Sequence, residues 1–443
     1  MFPWLTQNTL RPEVTRLNGQ RKKLQALLAG DLDFHGANQD SPVHRIHPFP
    51  AKFPPALPRL FIQHLTAPGA RVLDPMMGSG TTLLEARHLG RIALGNDIDP
   101  LALCLVEAKM APISPDGLLA AARRVVEEAR RCLETPHALK RLEQQMDTAS
   151  QEFVDYWFLP RTRHELLALQ QAILAESHLS TRRWLQILFS GIIIAKGSSV
   201  ALARDLSHTR PHKVKKQPKP ALEAFLERAR RVARLLATLP PTSSAEPFLL
   251  WRGDAQRLAL ADNSIDLIVT SPPYASNAID YMRAHKFTLV WWGYPIKTLS
   301  NLRRDYIGGE ALQGVALEPL PEIAQAAVAH IAEVDSRKGR VLHRYFSEMR
   351  RTLQEMARVL RPDGAAILVV GDATMRGRST QTPQALAAIG QQVGLAWVGT
   401  GVRHLDRDRR MMPARSASQP ASAIEQRMHQ EFVLGFLKPG EAK

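Results

Sequence analysis

The feature that most constrains the fold is a glycine-rich turn, VLDPMMGSGTTLLEA at residues 72–86, which separates an apolar run from a helical pattern. The apolar run predicts a buried strand that ends at Asp74, and a second run, RIALGND, ends at Asp97. Gly78 and Gly80 allow the backbone to approach a ligand closely and to present N–H groups to it. Two strands joined by a helix predict a parallel sheet with a ligand at its carboxyl edge.

The distance between the two acids indicates the kind of ligand. Asp97 follows Asp74 by 23 residues, near the spacing of about 20 at which an acid holds ribose hydroxyls in nucleotide-binding folds. Leu83 stands where the dinucleotide fingerprint has its third glycine, and no Gly-Lys-Ser/Thr of a P-loop follows. Because the Asp74 carboxylate suits a ligand that carries an amine, S-adenosylmethionine fits both acids. The alternative is a tight turn without a ligand.

A second constrained turn, TSPPY at residues 270–274, follows the apolar run DLIV. Proline has no N–H, so Pro272 and Pro273 offer carbonyl acceptors without competing donors, and Ser271 adds another acceptor. Tyr274 offers a face on which a flipped base can stack. Acceptors that draw the hydrogens of an exocyclic base amine toward tetrahedral geometry free its lone pair to attack a methyl sulfonium, without a strong base. The alternative is a strand terminator with a surface tyrosine.

The remaining pattern predicts the fold class and the domains. Apolar strands alternate with helical patterns in residues 44–112 and 246–443, which predicts an α/β, Rossmann-like catalytic domain with a mostly parallel seven-stranded sheet. Residues 113–245 are helical in period and rich in Arg and Lys, so we expect a helical insertion. Residues 1–43 predict a polar extension with one helix. Asp254, in RGDA after the third strand, is expected to reach an adenine amine.

The net charge of +16 and the pI of about 10.2 favour a polyanionic partner, nucleic acid before membrane. The helical insertion is therefore a candidate for DNA binding or target recognition. The candidate phosphate contacts are Arg210, Lys213, Lys215, Lys216, Lys219, Arg283, Lys286, Arg407, Arg409, Arg410 and Arg415.

Neither Cys104 nor Cys132 lies in a C-x-x-C, so we expect no metal site or disulfide and a cytoplasmic location. The N-terminus does not look like a signal peptide, and the apolar run 187–195 predicts a buried helix, being too short to span a membrane.

These motifs resemble the amino-methyltransferases that modify cytosine N4 or adenine N6 in DNA. The resemblance lies in DPMMGSGTTLLEA, GNDIDP, GDA, TSPPY and RVLRPDGAAILVVGD, and extends over residues 44–111 and 247–437. It implies that the cofactor S-adenosylmethionine is bound by Asp74, Pro75, Gly78, Gly80, Asp97 and Asp254. It implies catalysis by Ser271, Pro272, Pro273 and Tyr274.

The resemblance also implies a substrate. Serine at position 271, rather than Asp or Asn, favours cytosine N4 within this family. The run YASNAIDYMRAHKFTLVWWG resembles the extended loop of a cytosine-N4 subgroup, and HPFPAKF resembles its cofactor-side segment. Two features depart from the family: Met76 and Met77 stand where it has Phe and a small residue, and the helical block precedes the third strand.

Three other functions are alternatives to cytosine-N4 methylation of double-stranded DNA. One is adenine-N6 methylation, another is guanine-N2 methylation of tRNA, and the third is an inactive nucleic-acid-binding scaffold. A cytosine-C5 enzyme is disfavoured because neither cysteine follows a proline. A cognate restriction endonuclease is a further expected partner.

Overall fold

The computed structural model describes residues 12–34, 41–49, 52, 54–193, 199–203, 218–239, 247–275, 280–405 and 430–440. The strands are β1 Arg71–Asp74, β2 Ile92–Asp97, β3 Phe248–Arg252, β4 Ile265–Thr270, β5 Leu360–Gly371, β6 Thr374–Met375, β7 Arg378–Ser379, β8 Ala396–His404 and β9 Gln430–Leu437. The helices are α1 Pro12–Ala29, α2 Ala56–Leu65, α3 Thr81–His88, α4 Pro100–Met110, α5 Pro115–Leu133, α6 Pro136–Glu143, α7 Thr148–Trp157, α8 Pro160–Leu174, α9 Leu179–Ile193, α10 Ala221–Leu236, α11 Tyr281–Leu289, α12 Ile296–Asp305, α13 Glu322–Ala332, α14 Ser336–Val359 and α15 Thr382–Gln392.

One seven-stranded sheet organises the α/β part of the chain, in the order β3-β2-β1-β4-β5-β9-β8. The strands β1 to β5 are parallel, and β9 lies antiparallel between β5 and β8. Residues 365–371 of β5 are all buried, as expected for a strand covered on both faces. The predicted mostly parallel seven-stranded α/β sheet is confirmed.

Helices cover both faces of the sheet. On one face α13, α14 and α15 form a core with the sheet, and on the other face α1, α2 and α3 do so. The first helix, within the segment expected to be a polar extension, takes part in this core through the buried Leu24 and Leu28. A Cβ at Gly435 of β9 would lie 2.6 Å from Leu28 Cδ1, so this glycine allows α1 to pack closely on the sheet.

The helical block lies between β2 and β3, as the sequence pattern indicated. Its helices α5, α8, α9 and α10 pack around the fully buried Trp184, Phe189 and Phe225. The same core continues into α4, into α11 through Phe287, and into the turn after α11 through Trp291. The apolar run predicted as a buried helix lies within α9 as far as Ile193, and its last two residues lie outside the described part.

Two local predictions differ from the structure. The resemblance predicted an extended loop after the TSPPY turn, but residues 281–289 form the helix α11, because their apolar side chains are buried against the helices α4, α9 and α12. The strand β5 begins at Leu360, five residues earlier than the apolar run AAILVVG, because Leu360 already pairs with Ile265 before an irregularity in the ladder. Asp363, with φ 63°, provides the bend.

Candidate active site

The carboxyl ends of the first four parallel strands enclose one open cleft, whose empty space, together with the solvent at its mouth, is about 880 Å³. The residues that line it are Phe49, Lys52, Asp74, Pro75, Met76, Met77, Gly78, Ser79, Thr81, Asp97, Ile98, Asp99, Gly253, Asp254, Ala255, Ser271, Pro273, Tyr281, Asp305, Tyr306 and Ile307. Seven of the residues predicted for the site are therefore brought together. Gly80, Pro272 and Tyr274 are adjacent in sequence to lining residues without lining the cleft themselves.

The glycine turn is held in place by close packing. Gly80 has φ 78° and precedes α3, and a Cβ there would lie 2.7 Å from Val106 Cγ2. Gly78 has φ 47°, and a Cβ there would lie 3.3 Å from the Phe49 ring. The buried Lys109 on α4 donates from Nζ to the carbonyl of Ser79 at 2.7 Å. The backbone of the turn is thus fixed next to the cleft, and only glycine fits both positions without strain.

Asp74 ends β1 as a buried carboxylate. Its Oδ1 accepts hydrogen bonds from Thr270 Oγ1 at 2.7 Å and from the Met76 N–H at 3.2 Å. Burial nevertheless raises the pKa of Asp74 to about 6. Among the described residues it makes no ion pair, so a cationic ligand group would stabilise its charged form.

Asp97 ends β2 and is fixed by two backbone donors. Its Oδ2 accepts from the Gly78 N–H at 2.8 Å, and its Oδ1 accepts from the Asp99 N–H at 2.9 Å. Burial, together with the nearby charges of Asp99 and Asp74, raises the pKa of Asp97 to about 7. Asp97 also has no cationic partner in the part of the chain that the structure describes.

Asp99 has a different role at the cleft, as the cap of α4. Its Oδ1 accepts from the Leu101 N–H at 2.8 Å, and its Oδ2 bonds to Nδ1 of the buried His285 on α11. Burial raises the pKa of Asp99, but His285, together with hydrogen bonds from the Leu101 N–H and the Tyr306 side chain, outweighs burial and holds this pKa below its usual value. Asp99 therefore links the cleft to α11, the helix that follows the TSPPY turn.

Asp254 lies two residues beyond the end of β3 and lines the cleft. Its Oδ1 accepts from the Gln256 N–H at 2.9 Å, which closes a tight turn. Because β3 lies beside β2 on the side away from β1, Asp254 lines the cleft from a third strand end. Its contact with the adenine end stays a prediction.

The TSPPY turn begins where β4 ends at Thr270. Ser271 and Pro273 line the cleft, and Pro272 is buried. Tyr274 is half-buried, and its hydroxyl donates to Glu431 Oε1 at 2.9 Å. Burial, and then the carboxylate of Glu431, raises the pKa of Tyr274 well above its usual value. The turn therefore places acceptors at the cleft and holds the tyrosine ring at its hydroxyl end.

Several contacts were missed by sequence reasoning. Tyr281 and Tyr306 line the cleft from α11 and from the end of α12, and Phe49 lies 5.7 Å from the Tyr281 ring. The resemblance of HPFPAKF to a cofactor-side segment could have indicated Phe49 and Lys52 as lining residues. No local pattern indicated that Lys109 would be buried under the turn.

Few of the candidate phosphate contacts lie in described residues. Arg283 pairs with Asp280 at 3.4 Å, Lys286 Nζ lies 5.2 Å from the centre of the Phe153 ring, and Lys219 is exposed just before α10. The other candidates, Arg210, Lys213, Lys215, Lys216, Arg407, Arg409, Arg410 and Arg415, lie outside the described residues.

Other predicted features can be compared with the structure only where it describes the chain. Burial raises the pKa of the Cys104 thiol to about 12, which makes it a poor nucleophile. In the described residues no cluster of His, Cys, Asp or Glu could hold a metal ion. Of the described helices, none combines the length and apolar character needed to cross a membrane.

A parallel sheet of this strand order, with a reversed strand inserted before the edge and a glycine turn and acid at its carboxyl edge, defines a Rossmann-like methyltransferase domain. A family model described as DNA methylase, of the N6 and N4 methyltransferases, matches residues 12–106. The Type II methyltransferase M.MvaI of Kocuria varians is 22% identical over 373 residues, which cover 79% of this chain and 81% of that protein. The Type II methyltransferase M.MjaII of Methanocaldococcus jannaschii is 40% identical over 68 residues, which cover 15% of this chain and 13% of that protein. These matches show that the chain is similar to DNA methyltransferases of the N6 and N4 type.

Solved structures give weaker likenesses. A SAM-dependent methyltransferase of Methanosarcina mazei aligns with a TM-score of 0.30 and 11% identity, covering 86% of this chain and 98% of that one. The rRNA methyltransferase AviRa of Streptomyces viridochromogenes aligns with a TM-score of 0.30 and 13% identity, covering 93% of this chain and 92% of that one. At such scores the likeness carries no argument about function, and the fold class follows from the strand order itself.

Proposed function

We propose that this protein is a DNA methyltransferase that uses S-adenosylmethionine and methylates an exocyclic amine of a flipped-out base, N4 of cytosine. The proposal rests on the residues that line one cleft. It combines the buried Asp74 and the half-buried Asp97, which have no cationic partner among the described residues, with the acceptor turn at Ser271 and Pro273. The relatives named as Type II methyltransferases support the same class of reaction.

The cleft suits S-adenosylmethionine by its donor set. The carboxylates of Asp74 and Asp97, both with a raised pKa, favour a ligand that brings positive charge and hydroxyl donors. We assign Asp74 to the amino group, Asp97 to the ribose hydroxyls and Asp254 to the adenine end, with Pro75, Gly78 and Gly80 shaping the turn. When bound, the cofactor supplies a methyl group on a positively charged sulfur.

The residues of the TSPPY turn orient the base amine. The carbonyl oxygens before and within the Pro272–Pro273 pair and the hydroxyl of Ser271 accept its hydrogens, so its lone pair points along the line of attack. Tyr274 supports the ring of the base. After the transfer the nitrogen is positively charged and strongly acidic, because an exocyclic base amine is a very weak base. It gives one proton to water, so no side chain is needed to remove the proton.

The choice of cytosine N4 is supported by Ser271. A short neutral hydroxyl next to the prolines is a weaker acceptor than the carboxylate of an aspartate, and it leaves different space beside the amine. The same cleft would serve adenine N6 with the same mechanism. Methylation of guanine N2 in tRNA is the remaining alternative, and the activity assay below separates it.

Double-stranded DNA is the proposed partner, and the net charge of +16 supports the attraction. We retain residues 113–245 as the proposed region for DNA binding or target recognition, 44–112 and 246–443 as the catalytic domain, and 1–43 as the N-terminal extension. A cytoplasmic location and a cognate restriction endonuclease stay predictions.

Transfer of a radioactive methyl group tests this proposal. The purified protein is incubated with tritium-labelled S-adenosylmethionine and, in parallel, with DNA or tRNA from cells that lack the corresponding methylation. We expect label in the DNA and none in the tRNA. Label in tRNA alone would contradict the DNA assignment, and label in neither substrate would contradict the proposed activity.

A further inference from the structure

An ion pair on the two last strands holds the hydroxyl of the tyrosine in the TSPPY turn. Tyr274 Oη donates to Glu431 Oε1 at 2.9 Å, and Arg403 Nη1 donates to the other carboxylate oxygen of Glu431. Arg403 is 3% exposed and Glu431 is 9% exposed. The three side chains form one chain of hydrogen bonds that ends at the catalytic turn.

The topology of the sheet explains how these distant residues meet. Glu431 is the second residue of β9 and pairs with Gly371, the last residue of β5, on one side and with Arg403 of β8 on the other. Because β9 runs antiparallel to β5, its first residues lie at the carboxyl edge of the parallel strands. This is the same edge at which β4 ends and the TSPPY turn begins.

The position of the charges argues for a role beyond packing. The next pairs along the β8–β9 ladder are Val402 with Phe432 and Gly401 with Val433, so the buried charges are confined to the end of the ladder nearest the turn. A buried ion pair contributes little net stability compared with apolar residues of the same size. Its contribution here is a fixed acceptor for the Tyr274 hydroxyl.

The direction of the hydrogen bond defines what the tyrosine can do. The hydroxyl donates and remains protonated, since burial and the Glu431 carboxylate raise its pKa. Tyr274 therefore does not act as a base. With its hydroxyl held, the ring loses rotation about its side-chain bonds, and its face keeps one orientation beside the acceptors of Ser271 and Pro273.

We propose that Glu431 is a positioning residue for methyl transfer, which holds Tyr274 in the orientation that receives the target base, and that Arg403 holds Glu431. This inference rests on the proposed function, because it assigns a task to the same catalytic turn. It predicts a loss in kcat, since the orientation matters in the transition state, with little change in cofactor affinity.

Three variants and one control test the proposal. Tyr274→Phe removes only the hydroxyl and leaves the pair of Arg403 and Glu431 intact. Glu431→Gln weakens the acceptor, and the double variant combines both changes. The control is Tyr345→Phe on α14, a fully buried tyrosine in the core far from the turn in sequence. For each, kcat and KM for DNA, cofactor affinity by calorimetry and the melting temperature are measured.

We expect Tyr274→Phe to lower kcat by about tenfold, the size of one hydrogen bond to a charged group, with cofactor affinity unchanged. Glu431→Gln should lower kcat similarly, and the double variant should be no worse than the more impaired single variant. A value of kcat for Tyr274→Phe within about twofold of wild type would overturn the inference. So would a double variant whose loss is the product of the two single losses.

The result also separates this inference from the proposed function. If Glu431→Gln does not fold, Tyr274→Phe decides alone, because it preserves the ion pair. If the wild-type protein transfers no methyl group to DNA, both the proposed function and the inference are overturned. If the wild type is active and Tyr274→Phe matches it, only the positioning role of Glu431 is overturned.

Discussion

The backbone N–H of Gly78 donates to Asp97 Oδ2 at 2.8 Å, which joins the turn after β1 to the acid at the end of β2. Both residues line the cleft, so this bond joins the two cofactor elements that were predicted from separate motifs into one unit. The carboxylate is thereby oriented before any ligand arrives, which reduces the entropy lost on binding.

Asp97→Ala tests this unit. Removal of the carboxylate should weaken S-adenosylmethionine binding by about tenfold or more, because hydrogen bonds to a charged acceptor are lost. Calorimetry measures the affinity. Asp116→Ala is the control, since Asp116 is exposed in the first turn of α5. Equal affinities for the Asp97 variant and the wild type would refute the role of Asp97.

The raised pKa of Asp97, about 7, predicts opposite effects of pH on stability and on binding. Because the folded-state pKa lies above the unfolded value of 3.8, the folded protein binds more protons between about pH 4 and pH 7, and this contribution to stability is lost as the pH rises through about 7. Asp97→Asn should therefore stabilise the ligand-free protein at about pH 8 and lose most of that advantage by about pH 5.

Cofactor affinity of the wild type should fall over the same interval as the pH decreases, because the ionised carboxylate is the better acceptor. Thermal denaturation of both proteins and calorimetry of the wild type at the two pH values measure these effects. A stability difference between variant and wild type that is the same at both pH values would contradict the assignment.

Gly80→Ala tests the packing of the turn against a matched glycine. Gly69 and Gly80 have φ of 79° and 78°, but a Cβ at Gly69 meets no atom within 4 Å, whereas one at Gly80 would lie 2.7 Å from Val106. Gly69→Ala should cost about 1–2 kcal/mol in the free energy of unfolding from backbone strain alone. Gly80→Ala should cost about 1–3 kcal/mol more from overlap. Chemical denaturation measures both free energies of unfolding. Equal losses would show that Val106 moves aside without a loss of stability.

Salt dependence tests the basic segment before α10. The quadruple variant neutralises Lys213, Lys215, Lys216 and Lys219. For each phosphate of duplex DNA that a lysine no longer neutralises, the slope of log affinity against log salt should become shallower by about 0.9. Lys219 Nζ lies 2.9 Å from Glu227 Oε1, so we expect it to contribute least. Neutralising Arg130 and Arg131, which pair with glutamates one turn earlier on α5, is the control. A slope that is unchanged in the quadruple variant would make the segment a simple linker.

The sequence predicted those parts of the site that depend on local patterns. Asp74 and Asp97 could be placed at strand ends because apolar runs and turn residues mark where a strand stops. The contact of Tyr274 with Glu431 could not be predicted, because it joins residues 157 apart and depends on the antiparallel insertion of β9 beside β5. The burial of Lys109 was also hidden, since a lysine on a helix looks like a surface residue until the turn above it is known.

The identity of the methylated base tests the central claim most directly. The protein is expressed in a host that does not methylate its DNA, and the nucleosides of that DNA are measured by mass spectrometry. We predict N4-methylcytosine that is absent when the host expresses Tyr274→Ala instead. N6-methyladenine would overturn the choice of base and leave the mechanism in place. DNA that carries neither modified base, from cells that contain the folded wild-type protein, would contradict the account.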